Sequence, residues 1–338
     1  MPQRSDGRTR ILAAMAAICA FALAAQWFWG RSHEAAVAAA PQLVNAGVGK
    51  GRILFRDTQL GSSYGKLAVA DLTDLARRRI VPDLACEVLA FAAGHGVCLA
   101  AERGFFTTYE ARLFDAEYRV RARVPLAGIP SRTRVAPDGA IAAATVFVTG
   151  HSYDSTDFSV QTLLLDTTTG AVLVDLEKDL AIERNGDSFR ADDFNFWGVT
   201  FTPDSKRFYC TLSTAQHRYL IEVDMSSRKG VIVHDGVECP SLSPDATRIA
   251  FKRRLVGESL VRWQLRVLDL ATKRETTLAE KRSVDDQLEW LDDGHVLYAV
   301  SAAETDSSSS TDVWVTSANG SSPPRLFLSS AYSPAVAR

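Results

Sequence analysis

Apolar and polar positions alternate in short runs from residue 51 to the C-terminus of this 338-residue chain. Residues that favour turns, mainly Gly, Pro, Asp, Asn and Ser, separate the runs. A period of two places successive side chains on opposite faces of an extended segment, whereas an amphipathic helix has a period near 3.6. The pattern therefore predicts β-strands throughout this region and no long helix.

One unit recurs in this region: an apolar strand ends in a polar residue, a short turn follows, and another apolar strand begins. The strand-end residues are Asp71, Asp115, Asp166, Asp224, Asp269 and Ser317. Their spacing runs from 44 residues (71 to 115) to 58 residues (166 to 224). Six such units, each with room for four strands, predict an all-β fold, a six-bladed β-propeller with four-stranded antiparallel blades. A short carboxylate accepts hydrogen bonds from turn N–H groups, so we interpret these residues as turn caps.

A second marker, Ser-Pro-Asp, lies in the hairpin between the first two strands of a blade. It is clearest in residues 242–251 (LSPDATRIAF) and weaker in residues 136–139 and 202–205. Residues 332–336 (YSPAV) are a further copy, whereas the first blade begins directly at its second strand, near Arg52. We therefore expect the C-terminal segment to supply the innermost strand of blade 1, because this closure leaves no long open sheet edge.

These repeats resemble those of TolB-like propellers, whose unit reads P-x-W-S-P-D-G-x-x-I-A-F and continues with an apolar strand ending in D-L. Residues 240–251 and 267–270 match that unit best, and the resemblance covers about residues 51–338. With its single N-terminal apolar segment and its Ala- and Arg-rich composition, the chain is similar to membrane-anchored, exported TolB-like proteins of actinobacteria. The resemblance implies a propeller scaffold and leaves its role open.

The first fifty residues have a different pattern. Arg4, Arg8 and Arg10 precede residues 11–29, a run of nineteen residues in which Gln26 is the one polar residue. As a helix this run would span about 28 Å, close to the hydrocarbon thickness of a bilayer. The arginine bias predicts a cytoplasmic N-terminus. We expect residues 1–10 to be cytoplasmic, residues 11–29 to form a transmembrane signal-anchor helix, residues 30–50 to be a linker and residues 51–338 to form an extracytoplasmic propeller. The alternative is a signal peptide cleaved near residues 22–24.

Net charge and sequence motifs argue against several functional classes. The net charge of −2 gives no general attraction to nucleic acid. The sequence contains no Walker loop, no dinucleotide-binding glycine pattern and no H-E-x-x-H, and residues 257–261 (GESLV) lack the second glycine of a nucleophile elbow. We therefore expect no catalytic residues, no cofactor and no bound metal.

The five cysteines show no metal-binding spacing. Cys19 falls within the predicted membrane helix. The other four, Cys86, Cys98, Cys210 and Cys239, allow three pairings into disulfides outside the cytoplasm, or are buried thiols. The sequence does not choose between these alternatives.

Acidic and aromatic residues concentrate in the connections between blades and in the loops between second and third strands. These connections share one side of a propeller, which we call the inter-blade face. The hairpins between first and second strands share the other side, the turn face, whose tight turns leave little surface for recognition. The sequence predicts a negatively charged binding surface on the inter-blade face. The candidate residues are His151, Tyr153, Asp154, Asp157, Asp192, Asp193, Trp197, Glu238, Asp285 and Asp286. The alternative is solvated loop charge with the aromatic residues in the core.

The leading functional hypothesis is a non-catalytic binding scaffold of the cell envelope that recognises a protein or peptide. A basic segment in the partner would be complementary to the acidic inter-blade face. A second hypothesis is an envelope sensor or solute-binding propeller for sugars or cell-wall fragments, which a deep aromatic pocket in the channel would favour. A third is a propeller hydrolase or lyase, which a cluster of His with two carboxylates would favour.

Overall fold

The computed structural model describes residues 51–150, 158–255, 261–301 and 310–337. The predicted anchor at residues 11–29 and the linker at residues 30–50 lie outside these ranges, as do four candidate binding residues, His151, Tyr153, Asp154 and Asp157. None of the helices within the described ranges is both long and apolar enough to span a membrane. The expected anchor therefore rests on the sequence alone.

The described residues fold into six β-sheets arranged as consecutive blades around a central channel, which confirms the six-bladed β-propeller. Blade 1 consists of β26 (Ala331–Ala337), β1 (Arg52–Asp57), β2 (Lys66–Asp71) and β3 (Asp74–Ala85). Blade 2 consists of β4 (Val88–Ala92), β5 (His95–Arg103), β6 (Thr107–Phe114) and β7 (Val120–Leu126). Blade 3 consists of β8 (Ile129–Val135), β9 (Ile141–Thr149), β10 (Ser159–Asp166) and β11 (Val172–Asp175).

Blades 4 to 6 follow the same order, from the channel outward. Blade 4 contains β14 (Asn195–Phe201), β15 (Arg207–Thr214), β16 (His217–Asp224) and β17 (Lys229–Asp235). Blade 5 contains β18 (Glu238–Leu242), β19 (Arg248–Leu255), β20 (Arg262–Asp269) and β21 (Glu275–Thr277). Blade 6 contains β22 (Glu289–Asp292), β23 (His295–Ser301), β24 (Thr311–Ser317) and β25 (Arg325–Leu328).

Blade 4 has two strands beyond the four that the sequence predicted. After the short helix α1 (Leu176–Asp179), β12 (Ala181–Arg184) and β13 (Asp187–Phe189) form a hairpin, and β12 pairs in parallel with β17. Ile182 of β12 lies opposite Gly230, and a side chain at Gly230 would meet the Ile182 Cδ1 atom at 2.8 Å. The glycine therefore makes room for the added strand, which extends the sheet outward.

The core lies between the facing sheets of neighbouring blades. In β9, Ala142 and Ala144 pack in one buried cluster with residues of blade 2, whereas Ala143 packs in another with residues of blade 4. Successive side chains of an extended strand point to opposite faces, so a strand covered on both faces is apolar at consecutive positions. This explains why second strands are almost continuously apolar, whereas outer strands alternate.

The C-terminal strand closes the ring, as the sequence predicted. β26 pairs antiparallel with β1, with Ile53 opposite Val336 and Arg52 opposite Ala337. The Ser333 hydroxyl also accepts a hydrogen bond from Leu89 N at 2.9 Å, which ties the strand to blade 2. Blade 1 is thus made from both ends of the described chain.

The register of this strand differs from the motif alignment. In blade 1 Ile53 pairs with Val336, and in blade 5 the equivalent pair is Ile249 with Leu242. Counting back two residues, Pro334 aligns with Pro240 and not with the proline of the Ser-Pro-Asp turn. The preceding residues agree, since Ser333 and Cys239 have φ angles of 50° and 49°. Each marks a bulge, which inserts one residue into the inner strand. A Ser-Pro dipeptide alone does not distinguish the bulge from the turn.

The strand-end aspartates are turn caps in four of the blades. The side-chain oxygens of Asp115, Asp166, Asp224 and Asp269 accept hydrogen bonds from backbone N–H groups two to four residues ahead, at 2.7 to 3.1 Å. Ser317 does the same for Ser322 N at 3.0 Å. Asp71 instead lies 3.9 Å from Arg52 Nε.

The structure settles the state of the four described cysteines. Cys86, in the link between blades 1 and 2, and Cys98, on β5 of blade 2, form a disulfide between residues 12 positions apart. Cys210 and Cys239 are buried free thiols. Of the alternatives left open by the sequence, a disulfide therefore applies to one pair of cysteines and buried thiols to the other two.

Candidate functional site

Arg134 and Glu289 form an ion pair in the central channel. Arg134 lies on β8 of blade 3 and Glu289 on β22 of blade 6, on opposite sides of the six-bladed ring. The guanidinium group pairs with the carboxylate across the channel, and the two side chains are 18% and 10% exposed. Arg134 also donates to Leu288 O at 3.0 Å and to Ser241 Oγ at 3.3 Å.

A second charged group lies on the inter-blade side of this pair. Arg132 donates to the Asp285 carboxylate at 2.8 Å, and the fully buried Lys252 bonds to the same oxygen. Burial alone would raise the pKa of Asp285, but Lys252 and Arg132 together hold it below its usual range. Asp285 is therefore a carboxylate between two cations.

The other acidic candidates of blades 5 and 6 are also buried. Asp286 is 6% exposed, and its carboxylate accepts hydrogen bonds from Ala299 N and Gln287 N, each at 2.9 Å. Burial raises the pKa of Asp286. Glu238 is 1% exposed, and neither of its carboxylate oxygens has a hydrogen-bond partner among the described residues. Its charge raises the pKa of Arg218 and of Lys252, against the effect of burial. Asp286 and Glu238 therefore lie inside the propeller and are not part of an exposed negative surface.

The blade 4 candidates have three different environments. Asp192 is exposed to solvent. Asp193 caps the turn after β15, since its carboxylate bonds to the Thr214 hydroxyl and accepts from Ala215 N at 2.6 Å. Trp197 was expected as a contact residue on the surface, but it is fully buried. Its position on the innermost strand, covered by neighbouring blades, explains the difference. Phe194 is half-buried and packs 5.3 Å from the Phe189 ring.

A pocket of about 340 Å³ opens on the inter-blade face over blade 4. We call it the blade 4 pocket. It is lined by Phe158, Asp193, Asn195, Ser213, Ala215, Gln216, Arg218 and Arg254. Arg218 lies on β16, with its guanidinium carbon 5.4 Å from the Trp197 ring and 6.0 Å from the Phe158 ring. The sequence hypothesis included Asp193 but neither arginine. No local sequence pattern connects Arg218 with Arg254, and only the fold brings them into one pocket.

A cavity of about 260 Å³ occupies the channel on the turn face. Arg134 and Glu289 line its inner end. The other lining residues include Phe91, Phe201, Trp290, Pro137, Pro203, Pro244 and Pro334. The Trp290 indole donates to Ser241 O at 2.8 Å. A cavity therefore opens on the turn face, where the sequence predicted little surface for recognition.

Groups suited to metal binding or nucleophilic attack are few in the described part of the chain. No cluster of three or more His, Cys, Asp and Glu residues there is arranged to hold a metal ion. Cys210 and Cys239 are inaccessible, and burial raises the pKa of both thiols. A thiol in this environment is a poor nucleophile, because the thiolate is the reactive form.

Comparison with known proteins supports the fold. No family model and no curated sequence matches the chain. Among solved structures, it is similar to TolB from Acinetobacter baumannii, with a TM-score of 0.57, 19% identity and coverage of 85% of this chain and 67% of that one. It is also similar to a chain in a crystal structure of a nidogen/laminin complex, with a TM-score of 0.52, 12% identity and coverage of 85% and 98%. At these identities the similarity establishes a TolB-like propeller fold.

Proposed function

We propose that this chain is a non-catalytic binding scaffold, held outside the cytoplasm by its N-terminal segment, that recognises a protein segment on the inter-blade face of the propeller. The observation that carries the proposal is the blade 4 pocket. Its volume of about 340 Å³ falls within the range of about 300 to 1,000 Å³ usual for ligand sites. It combines an aromatic wall with polar and charged side chains, which suits a side chain of a partner protein.

Exposed apolar side chains on the same face support a protein partner. Phe105 and Phe106, in the turn between β5 and β6, are 96% and 78% exposed, and Leu60, between β1 and β2, is 68% exposed. Single exposed apolar residues are common, but two adjacent aromatic rings at a loop tip provide contact area of the kind that contributes strongly to protein interfaces. A chain of similar fold occurs in a nidogen/laminin complex, which is a protein–protein assembly.

Two observations support a location outside the cytoplasm. The Cys86–Cys98 disulfide is a bond that persists in oxidising compartments and is rare in the cytosol. The apolar run of residues 11–29 with its preceding arginines is the pattern of a signal anchor. Protease treatment of intact, wall-stripped cells should digest the propeller, and a protected propeller would contradict this part of the proposal. A mature N-terminus near residue 25 would favour the cleaved signal peptide.

The binding function is tested by affinity capture with the full-length chain purified in detergent. The informative comparison is between Arg218→Gln, in the blade 4 pocket, and Arg207→Gln, on the turn face of the same blade. Arg207 is exposed and pairs with Glu222 at 2.8 Å, so its replacement should cost little stability. We expect a specific partner that Arg207→Gln retains and Arg218→Gln loses or weakens. Equal capture by both variants would exclude the inter-blade pocket as the binding site.

A second candidate function is the binding of a small solute in the turn-face cavity. The aromatic residues Phe91 and Phe201 and the charged pair Arg134 and Glu289 favour it. The volume of about 260 Å³ is slightly below the usual range for ligand sites, so the protein-binding function fits better. A rise in melting temperature with a sugar or cell-wall fragment, absent in Phe201→Ala, would support the solute function.

A further inference from the structure

The outer part of blade 1 contains an open recess of about 540 Å³ that is rich in arginine. We call it the arginine recess. It is lined by Arg52, Val69, Ala70, Asp71, Arg77, Arg78 and Arg79. Because Arg52 begins β1 and Asp71 ends β2, the recess lies at the turn-face end of the blade. Its lining therefore contains four cations and one anion.

Two of the four arginines have a carboxylate nearby. Asp71 lies 3.9 Å from Arg52, and both side chains are more than half exposed. Arg78 lies 3.9 Å from the buried Asp57, and its guanidinium group also donates to Ser329 O at 2.6 Å. Arg78 therefore links blade 1 to the segment that follows β25 and has a structural role of its own.

Arg77 and Arg79 have no carboxylate within ion-pair distance among the described residues, and both are exposed. They are two positions apart on β3, so their side chains share one face of the strand. The guanidinium carbon of Arg79 lies 4.8 Å from the centre of the Tyr118 ring. These two arginines are the unpaired positive charges of the recess.

Acidic residues around the recess do not cancel this charge. Asp74, at the start of β3, joins Asp57 and Asp71 to make three carboxylates against the four arginines. The neighbouring turn of blade 2 is balanced, since two carboxylates and two arginines pair with one another there: Asp115, Glu117, Arg119 and Arg121. The recess therefore keeps a net positive charge, which favours an anionic ligand.

Arginines on an outermost strand also protect an open sheet edge from pairing with other chains. This role explains charge on β3, the outermost strand of blade 1. It does not explain Arg52, which lies on β1, an interior strand of the sheet, and still lines the recess. The convergence of arginines from two strands on one recess therefore favours a binding site.

The chain enters the propeller beside this recess. Arg52 is the second described residue, and the linker of residues 30–50 and the expected membrane helix of residues 11–29 precede it in the sequence. A linker of this length reaches at most about 70 Å. The tether therefore keeps the bilayer surface at a high effective concentration around the recess. Lipid headgroups are the anions that this arrangement brings to it.

We propose that the arginine recess binds the phosphate groups of anionic lipids on the surface of the bilayer that holds the N-terminal segment, with Arg77 and Arg79 as the main contacts. Guanidinium groups suit this ligand because they form paired hydrogen bonds to phosphate oxygens. The inference rests on the proposed anchor and goes beyond the recognition of a protein. Docking at the recess places the turn-face end of blade 1 against the bilayer and leaves the inter-blade face open to a partner.

The test uses full-length protein reconstituted in lipid nanodiscs. Thr73→Cys, in the exposed turn between β2 and β3, carries a fluorescent label, and Cys19→Ala removes the thiol of the expected membrane helix. A nitroxide on lipid headgroups quenches a label that lies close to the bilayer surface. Neutral nanodiscs contain phosphatidylcholine, and anionic nanodiscs contain phosphatidylcholine with phosphatidylglycerol. We expect stronger quenching in the anionic nanodiscs, and the difference should shrink as salt rises.

Variants identify the contacts. Arg77→Gln should lower the ratio of docked to undocked propeller in anionic nanodiscs by about fivefold, the effect of one arginine near an anionic surface. The control, Lys206→Gln with Arg207→Gln, removes two exposed cations from the turn face of blade 4 and should leave this ratio nearly unchanged. Arg79→Gln should also weaken docking, but Arg79 packs on Tyr118. Arg77→Gln, checked for an unchanged melting temperature, therefore carries the test.

Three results would overturn the inference. The first is equal quenching in neutral and anionic nanodiscs, or undiminished quenching in Arg77→Gln. The second is a label that responds to inorganic phosphate in neutral nanodiscs but not to anionic lipid, because the recess would then bind a soluble anion. The third is a protein that does not insert into nanodiscs, since this result would remove the anchor on which the inference rests.

The outcomes separate this inference from the proposed protein recognition. A captured partner that depends on Arg218, without lipid-dependent quenching, would leave the scaffold function standing and remove the lipid contact. Docking that depends on Arg77, with no specific partner captured, would leave the lipid contact standing and remove the scaffold function.

Discussion

Arg134 in blade 3 and Glu289 in blade 6 form an ion pair across the central channel, although 155 positions separate them in the sequence. The pair has further links to the ring. Arg134 reaches Ser241 in blade 5, and Glu289 accepts a hydrogen bond from Val336 N in blade 1 at 3.3 Å. Four of the six blades thus meet at one charged pair, which joins opposite sides of the propeller.

Removal of one member of this pair should destabilise the propeller. Arg134→Met removes the arginine that pairs with Glu289, and we expect the free energy of unfolding to fall by about 3 kcal/mol. This value is at the lower end of the range for breaking a buried ion pair, because both side chains keep some contact with solvent. Arg134→Met with Glu289→Leu should regain most of the loss, since no unpaired charge remains. Urea unfolding measures both, and a double variant as unstable as the single one would contradict this explanation.

Deletion of residues 332–338 should destabilise the ring by removing most of β26. The strand buries Ala335 and Val336 and covers β1. At about 25 cal/mol per Å² of apolar surface, the loss of an inner strand amounts to roughly 5 kcal/mol or more. Deletion of Arg338 alone is the control and should leave the melting temperature unchanged. An equally stable 332–338 deletion would mean that another segment closes the ring.

Stability should fall with rising pH because of Glu177. Burial raises the pKa of Glu177 to about 8, although its carboxyl oxygens accept hydrogen bonds from Thr162 N at 2.8 Å and Phe196 N at 3.1 Å, which act in the opposite direction. The folded protein then binds a proton that the unfolded chain releases above its ordinary pKa of 4.5. The stabilisation is complete below that value and is lost as pH rises towards about 8.

Glu177→Gln tests this pH dependence. The amide cannot ionise, so the variant lacks this pH dependence. Between about pH 5 and pH 8 the wild type should therefore lose stability relative to the variant. Urea unfolding at several pH values gives the difference. A constant difference over this range would show that Glu177 has an ordinary pKa.

Asp285→Asn and Asp192→Asn should have unequal effects on stability. Asp285 lies between Arg132 and the fully buried Lys252, so its neutralisation removes the carboxylate that both cations share and should cost about 3 to 5 kcal/mol. Asp192 is exposed, and its change should fall within about 0.5 kcal/mol of wild type. Thermal unfolding of the two variants makes the comparison. Similar, small effects would restore the idea of a solvated acidic face.

The Cys86–Cys98 disulfide should contribute about 3 kcal/mol, the value for a closed loop of similar length. Replacement of both residues by Ala should lower the melting temperature in the absence of reductant. Dithiothreitol should lower the melting temperature of the wild type and leave that of the double variant unchanged. A wild type insensitive to reductant would indicate that the bond is absent or contributes nothing.

The sequence by itself determined the architecture. Period-two runs, six strand-end polar residues and a C-terminal motif predicted six blades and their closure, because strands and turns follow from interactions between near neighbours in the chain. Asp224, for example, bonds to residues two and three positions ahead, so its role as a cap was readable from the sequence. The inter-blade face was located by the same reasoning, from connectivity alone.

Only the tertiary structure decided which of the described charged residues on that face are paired. Asp285 pairs with Arg132, which is 153 positions away, and Arg218 and Arg254, from different blades, line one pocket. Trp197 was an expected surface residue because it follows an acidic loop, yet the innermost strand carries it into the core. The sign of a surface depends on which charges the fold pairs and which it leaves alone, and those pairings join residues far apart in the chain, where no local pattern records them.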